Sequence, residues 1–384
     1  MSTTKLELRG HRSAAPARMQ RALNLTEVLI VIAVILLLLS ILLPSFSGAR
    51  AQARAVVCGQ HLRQFGNGLH IYTAENRDWL PGLNTTGAAL NAKRRLIGGG
   101  NATALDSPKL PVQTFDWMTP ILAYALELPA VRAERFKFLL SRFRCPGQMN
   151  TNTSLYCDTD APDMDLFGPA PTWPAVSYLM PGPFQYTGQK YRDRPLCRDE
   201  VMPAQSIYTK AMYEGWEVLV NDYQPRLDRV GPPARKIFVA DGTRYLRAND
   251  ILDFDVAPIP DFFGAFSDPG GWWSGARAYG VRPGSMAWDG ILATGQYGRH
   301  PGDGTERGDG ENLGLSYRHG RQSGVPSGDV HDNKGTLNAL FFDSHIERLN
   351  DRQSRKIGYW YPKGGLVQTP AEGMSSVAEG YVIP

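Results

Sequence analysis

The stretch that decides the fold is residues 23–44, LNLTEVLIVIAVILLLLSILLP, in which Ser40 is the only polar residue between Val28 and Leu43. At the rise of an α-helix, residues 23–43 span about 30 Å, which is the thickness of the hydrocarbon core of a bilayer. The rest of the chain has no apolar run of comparable length, which excludes a protein with several membrane spans. The sequence therefore predicts one membrane-spanning helix at 23–43.

The charge in front of this stretch predicts its orientation. Residues 1–22 carry five basic side chains against Glu7, a net charge of +4, which equals the net charge of the whole chain. Basic residues flanking a membrane helix favour the cytoplasmic side. We expect a cytoplasmic N-terminus and a head on the other side of the membrane. Because residues 23–384 are balanced in charge, we expect no nucleic acid partner.

Glu27 is the anomaly of the segment, because it places a carboxylate at the start of the apolar run. A charge at the bilayer centre costs at least about 2.5 kcal/mol, and less near the interface. Two interpretations remain open. Either Glu27 lies close enough to the boundary to reach water, or it pairs with a cation inside a protein assembly.

The stretch RALNLTEVLIVIAVILLLLSILLP, residues 21–44, resembles the N-terminus of type IV prepilins and type II secretion pseudopilins. In that family a prepilin peptidase cuts before the apolar run, the new N-terminus is methylated, and a Glu follows at mature position five. The resemblance implies cleavage between Ala22 and Leu23, with Glu27 as the assembly residue and Pro44 as a helix kink. The family usually has Gly and Phe where this chain has Ala22 and Leu23.

Cleavage would also explain why a carboxylate, Glu27, is tolerated at the start of the apolar run. The new ammonium at Leu23 can meet the Glu27 carboxylate of a neighbouring subunit, and each charge then offsets the burial penalty of the other. The resemblance implies prepilin peptidase, other pilin or pseudopilin subunits and the inner-membrane assembly machinery as partners. It implies a single-pass protein of the bacterial inner membrane with a periplasmic head, or a subunit of a periplasmic or extracellular filament.

The helix is predicted to continue beyond Pro44, because apolar residues recur at helical spacing up to about Asn76. The predicted apolar face contains Ala49, Ala53, Val56, Val57, Leu62, Phe65, Leu69 and Tyr72. We therefore predict a basic leader at 1–22, a long helix at 23–76 and a globular head at 77–384. The expected fold class is α+β, with the long helix packed on an antiparallel sheet with large loop insertions, as in pilins.

A second resemblance covers residues 15–80 and 315–365. CGQHLRQFG at 58–66, SYRHG at 316–320 and LFFDSHIERL at 340–349 resemble a subgroup of large pilin-like proteins from planctomycete and verrucomicrobial genomes. This chain has Ser344 where the subgroup has Gly. In the head we predict helices at 115–128 and 131–143, and strand–turn–strand units at 235–246 and 337–349.

The four cysteines are predicted to lie outside the cytoplasm, where disulfides persist. We favour the pairs Cys58–Cys145 and Cys157–Cys197 over free buried thiols. The chain has no Cys-x-x-Cys motif, which is evidence against a zinc or redox motif of that kind.

Metal binding stays open on the sequence. His319, His331, Asp343 and His345 can converge on neighbouring strands, although ordinary hydrogen bonding is the favoured interpretation. Asp303, Asp309 and Glu311 lie in an acidic loop without the spacing of an EF-hand. Major pseudopilins bind calcium in a C-terminal loop, so calcium is retained as an alternative to having no cofactor.

No nucleophile elbow, phosphate loop or dinucleotide motif is present in the sequence, so we expect no enzyme. The expected function is a structural pilin-like subunit of a type II secretion or type IV pilus-like filament. The alternative is a membrane-anchored head that binds a ligand or adheres to polysaccharide, with Trp272 and Trp273 as candidate stacking residues.

Overall fold

A computed structural model describes part of the chain. The described residues are 24–81, 107–112, 116–147, 151–152, 154–156, 173–174, 176–185, 188, 218–219, 221–244, 251–253, 313–315, 319, 336–354, 356–367 and 380–384. The chain divides into two compact units, Met1–Ala49 and Arg50–Pro384. Each unit is described separately below.

In the first unit the described residues form the first part of helix α1, Leu25–Glu75. The window Leu25–Leu42 has a mean hydropathy of 3.0 and no buried residue, and in the described part of the chain α1 is the one helix long and apolar enough to cross a membrane. An N-terminal signal sequence can meet the same criterion of length and hydropathy. Glu27 lies in the first turn, where its Oε2 accepts the backbone N–H of Asn24 at 3.1 Å.

In the second unit α1 buries one face at intervals of three or four residues, which is the pattern of an amphipathic helix. Leu62, Phe65, Leu69 and Tyr72 are buried, as the sequence predicts. Val56 and Val57 are exposed, so the first part of the predicted face is wrong. The buried face instead passes through Ala55 and Cys58, because Cys58 is bonded to Cys145 in the head.

Two glycines in α1 have a packing role. A Cβ on Gly68 would lie 2.6 Å from the carbonyl oxygen of Ile121, and one on Gly66 would lie 2.8 Å from Oγ of Ser344. Real Cβ atoms do not approach other atoms so closely. The helical cost of about 1 kcal/mol per glycine therefore accompanies close contact between the helix and the rest of this unit.

The two predicted helices of the head are both present, and the first is much shorter than predicted. Helix α2 is Met118–Leu122 and helix α3 is Arg132–Arg142, against predictions of 115–128 and 131–143. Asp116 precedes α2 and its carboxylate accepts the N–H groups of Val112 at 2.8 Å and Thr119 at 2.9 Å. The other helical elements in the described part of the chain are α4, Asp351–Ser354, and the 3₁₀ turns Gly182–Phe184, Leu227–Arg229, Pro233–Arg235 and Ile357–Tyr359.

The second unit contains an antiparallel sheet of five strands: β4 Tyr178–Leu179, β6 Ile237–Arg244, β8 Leu313–Leu315, β9 Thr336–Phe341 and β10 Ile346–Asn350. The strand order is β10–β9–β6–β4, and β8 also pairs with β6. Three short pairs join β1 Thr151–Asn152 with β3 Trp173–Pro174, β2 Ser154–Tyr156 with β7 Ile251–Asp253, and β5 Val218–Leu219 with β11 Leu366–Val367. The described part of the chain thus combines helices with an antiparallel sheet, as in an α+β fold.

One of the two predicted hairpins is correct and the other is wrong. Residues 337–349 form the hairpin of β9 and β10, with Ser344 at φ 71° in the turn. Residues 237–244 form the single strand β6, which continues through Asp241 and Gly242. Asp241 does not turn the chain, because it is buried in the sheet and its carboxylate accepts the N–H of Asn338 on β9.

Candidate functional site

Four side chains with metal-binding or redox chemistry meet in the core of the second unit. They are Cys58 on α1, Cys145 after α3, Asp241 in β6 and His319, which forms an isolated bridge with Thr336. All four are buried, and their candidate ligand atoms lie within 4.8 Å of one another. Among the described residues this is the one group of this kind. We call it the Cys–Asp–His cluster.

The two cysteines of the cluster form a disulfide, with their Cα atoms 5.3 Å apart. This is one of the two pairings favoured from the sequence, and it links the long helix to the head. The backbone N–H of Cys145 donates to Oγ of Ser177 at 3.1 Å, which fixes that end of the disulfide. Cys157 and Cys197 lie outside the described residues.

His319 and Asp241 form a fully buried pair beside the disulfide. Nε2 of His319 lies 3.0 Å from Oδ2 of Asp241 and 3.7 Å from Sγ of Cys145. The same Oδ2 accepts the N–H of Asn338 at 2.7 Å. The backbone of His319 is held by two hydrogen bonds with Thr336, at 3.0 Å and 2.7 Å. Both side chains are therefore positioned by strand β9.

Several buried polar atoms of the cluster and of strand β9 beside it have no hydrogen-bond partner among the described residues. Oδ1 of Asp241 and Nδ1 of His319 are buried and have no partner, and the same is true of Oγ1 of Thr336 and Nδ2 of Asn338. An unsatisfied buried polar group costs about 1–3 kcal/mol. A group of such atoms at one place marks a site where a ligand or water would find hydrogen-bonding partners.

His61 extends this polar region by one turn of α1 after Cys58. Its Nδ1 lies 3.0 Å from the hydroxyl of Tyr178, whose strand neighbour in β6 is Asp241. Burial lowers the pKa of His61, and the positive charge of Arg142 lowers it further, whereas Asp241 raises it. The neutral imidazole is thus favoured, and its Nδ1 either accepts a hydrogen bond from the Tyr178 hydroxyl or donates one to the hydroxyl oxygen, depending on the tautomer.

The structure does not bring His319 together with Asp343 and His345, so a metal site shared by these three residues is a wrong prediction. His319 lies beside Thr336, at the start of β9, whereas Asp343 and His345 bond each other in the turn after its end. The five residue steps of β9 separate these places by about 16 Å. His331 lies outside the described residues, as do Asp303, Asp309, Glu311, Trp272 and Trp273.

The partners of His319 were missed because they are far apart in the sequence. Cys58, Cys145 and Asp241 come from three different elements, and no short spacing links them. The Asp-Gly pair at 241–242 predicts an exposed turn, whereas the carboxylate of Asp241 is buried in β6. Of the processing and assembly residues, Ala22 and Leu23 lie outside the described residues, whereas Glu27 and Pro44 lie within α1.

No family model matches this chain, and neither a curated protein nor a solved structure matches it.

Proposed function

We propose that the chain is a structural pilin-like subunit. Prepilin peptidase cleaves it between Ala22 and Leu23, and the processed chain assembles from the inner membrane into a type II secretion or type IV pilus-like filament. The observation that carries this proposal is the carboxylate of Glu27 in the first turn of α1, within the apolar stretch Leu25–Leu42, none of which is buried.

The hydrogen bond from Asn24 does not neutralise Glu27. A carboxylate in the first turn is favoured by the helix dipole, at about 0.3–1 kcal/mol, and by reaching back to a free backbone N–H. Both effects favour the carboxylate but supply no positively charged side chain, and Glu27 lies inside an 18-residue stretch of mean hydropathy 3.0. The ammonium of a processed Leu23 on a staggered neighbour supplies the missing positive charge, which a chain with an intact leader cannot do.

The disulfide between Cys58 and Cys145 supports a head that lies outside the cytoplasm. Disulfides persist outside the cytoplasm and are rare within it. A cytoplasmic basic leader and a disulfide-bonded head are the two sides expected of a single-pass protein whose one membrane segment lies between them.

Mass spectrometry of the N-terminal peptide from membrane-extracted protein tests the proposal. We expect a peptide that starts at Leu23 and carries one methyl group on its amine. The matched control is the same preparation from cells without prepilin peptidase, in which the chain should keep residues 1–22. Two results would refute the proposed function: an intact Met1 in cells that have the peptidase, or a start after Ala49, which would indicate removal of the apolar run as a signal peptide.

A further inference from the structure

We propose that the reduced form of this chain binds one zinc-class divalent cation through Cys58, Cys145, Asp241 and His319. The two sulfur atoms then serve either as a disulfide or as metal ligands, depending on their oxidation state. The proposal concerns the head alone and does not depend on filament assembly.

The first support is the donor set. Two thiolates, one imidazole and one carboxylate are ligands that zinc accepts, and four such ligands complete a closed tetrahedral site. The donors come from α1, from the residues after α3, from β6 and from the bridge to β9. These four segments hold the donor atoms within 4.8 Å of one another.

The second support is the spacing of the donor atoms. Zinc bonds of about 2.3 Å to sulfur and about 2.0–2.2 Å to nitrogen or oxygen place neighbouring ligands of a tetrahedron about 3.3–3.8 Å apart. Nε2 of His319 is 3.7 Å from Sγ of Cys145 and 3.0 Å from Oδ2 of Asp241. Two separations must increase: the one between the two sulfurs, which reduction of the disulfide permits, and the 3.0 Å between Nε2 of His319 and Oδ2 of Asp241, which is shorter than this range.

The third support is the unsatisfied carboxylate. Oδ2 of Asp241 already accepts the N–H of Asn338, whereas Oδ1 is buried and has no hydrogen-bond partner among the described residues. The N–H of Asn338 thus orients the carboxylate and leaves one oxygen for a further ligand, which is the arrangement that outer partners impose on metal-binding side chains. A cation supplies the partner that Oδ1 lacks in the disulfide form.

The conversion between the two forms has a defined balance. A dithiol reductant gives two electrons and two protons, the bond between Cys58 and Cys145 breaks, and the reductant leaves as its own disulfide. Zinc then binds the two thiolates and releases their two protons to water. Zinc itself is neither oxidised nor reduced.

Cobalt titration of the full-length chain in detergent tests the proposal, because cobalt reports thiolate ligands by charge-transfer absorption. The titration uses a Cys157→Ser/Cys197→Ser background, so that Cys58 and Cys145 supply the only thiols. The protein is reduced with a dithiol and desalted without oxygen. We expect a charge-transfer band that saturates at one cobalt per chain and disappears when zinc is added. The oxidised chain should show no band.

Variants assign the ligands. Asp241→Asn keeps an oxygen for the Asn338 N–H, and both Asp241→Asn and His319→Gln should weaken cobalt binding at least about 10-fold. The matched controls are Asp343→Asn and His345→Gln, which alter the exposed pair of the same hairpin and should bind cobalt like the parent. Near-UV circular dichroism of each oxidised variant shows whether it is folded.

Two results would overturn the proposal. One is a reduced chain with two titratable thiols and no charge-transfer band. The other is full cobalt affinity in the Asp241→Asn and His319→Gln variants. If reduction unfolds the head, zinc must restore its near-UV spectrum, and failure to do so would also count against the site.

Discussion

Two stretches of the same helix differ in where their apolar side chains lie. In Leu25–Leu42 the apolar residues surround the helix and none is buried. In residues 55–73 the buried residues recur every three or four positions, and polar residues such as Arg63 and Asn67 lie between them. The second stretch has its packing partners within the described part of the chain, and the first stretch has none there.

This difference separates two kinds of sequence signal. An unbroken apolar run shows that the partner is an apolar medium or another copy of such a run, but it specifies no face. A 3.6-residue period specifies a face and so a partner within the fold. Substitutions in the two stretches should therefore affect different measurements: head stability for the second stretch and assembly for the first.

The largest effect on head stability is expected for Cys58→Ala. The disulfide joins residues that are 87 positions apart. Closing a loop of that length in the unfolded chain corresponds to about 4–5 kcal/mol in the chain-entropy model. Denaturant unfolding of the oxidised protein, followed by near-UV circular dichroism, should show this loss. An unchanged midpoint would mean that the disulfide does not constrain the unfolded head.

A somewhat smaller effect is expected for Leu62→Ala, which removes a fully buried side chain from the second stretch. Such substitutions cost about 2–5 kcal/mol. Val56→Ala is the matched control six residues earlier in α1, where the side chain is 59% exposed, and it should change the free energy of unfolding by less than about 0.5 kcal/mol. Equal losses for the two variants would contradict the face that the structure assigns to α1.

Residues that follow one period were predictable from the sequence. The bounds of α1 differ from the predicted 23–76 by two residues at the start and one at the end, and the buried face from Leu62 to Tyr72 was correct. The hairpin of β9 and β10 was also correct, because the apolar strand β9 is followed by a short polar turn at Asp343 and Ser344.

Contacts between distant elements were not predictable in the same way. The face of α1 near Val56 depends on the bond between Cys58 and Cys145, which overrides the local apolar pattern. Asp241 followed the rule for turns but lies inside a strand, where Asn338 and His319 both contact Oδ2 of its carboxylate. The candidate site depends on these long-range partners, and one sequence does not specify them.

A smaller and pH-dependent effect is expected from His61. Because burial lowers the pKa of His61 below its usual 6.5, the folded state binds fewer protons than the unfolded state below that pH. The free energy of unfolding should therefore fall as the pH drops from about 7.5 to about 5.5. Denaturation midpoints at several pH values should show a weaker fall for His61→Gln. His70→Gln, which alters an exposed histidine of the same helix, should fall like the wild type.

The smallest effect on head stability is expected for Glu27, where both Glu27→Gln and Glu27→Val should leave the free energy of unfolding unchanged. Their effect should appear in assembly, since we propose that Glu27 meets the amine of Leu23 on a neighbouring subunit. Cysteines placed along the helix should cross-link wild-type subunits into a ladder in cells. Both variants should insert and be cleaved, and both should lose the ladder.

The two substitutions separate the charge of Glu27 from its hydrogen bond. Gln keeps an oxygen that can accept the N–H of Asn24 and removes the charge, whereas Val removes both. If only Glu27→Val loses the ladder, the role of Glu27 is to cap the first turn of α1, and the charge pairing is wrong. If both variants cross-link like the wild type, Glu27 reaches water at the interface, and the chain is better described as a single anchored head. Loss of the ladder in Glu27→Gln, with cleavage intact, assigns the effect to the charge, because charge is the property that this variant lacks.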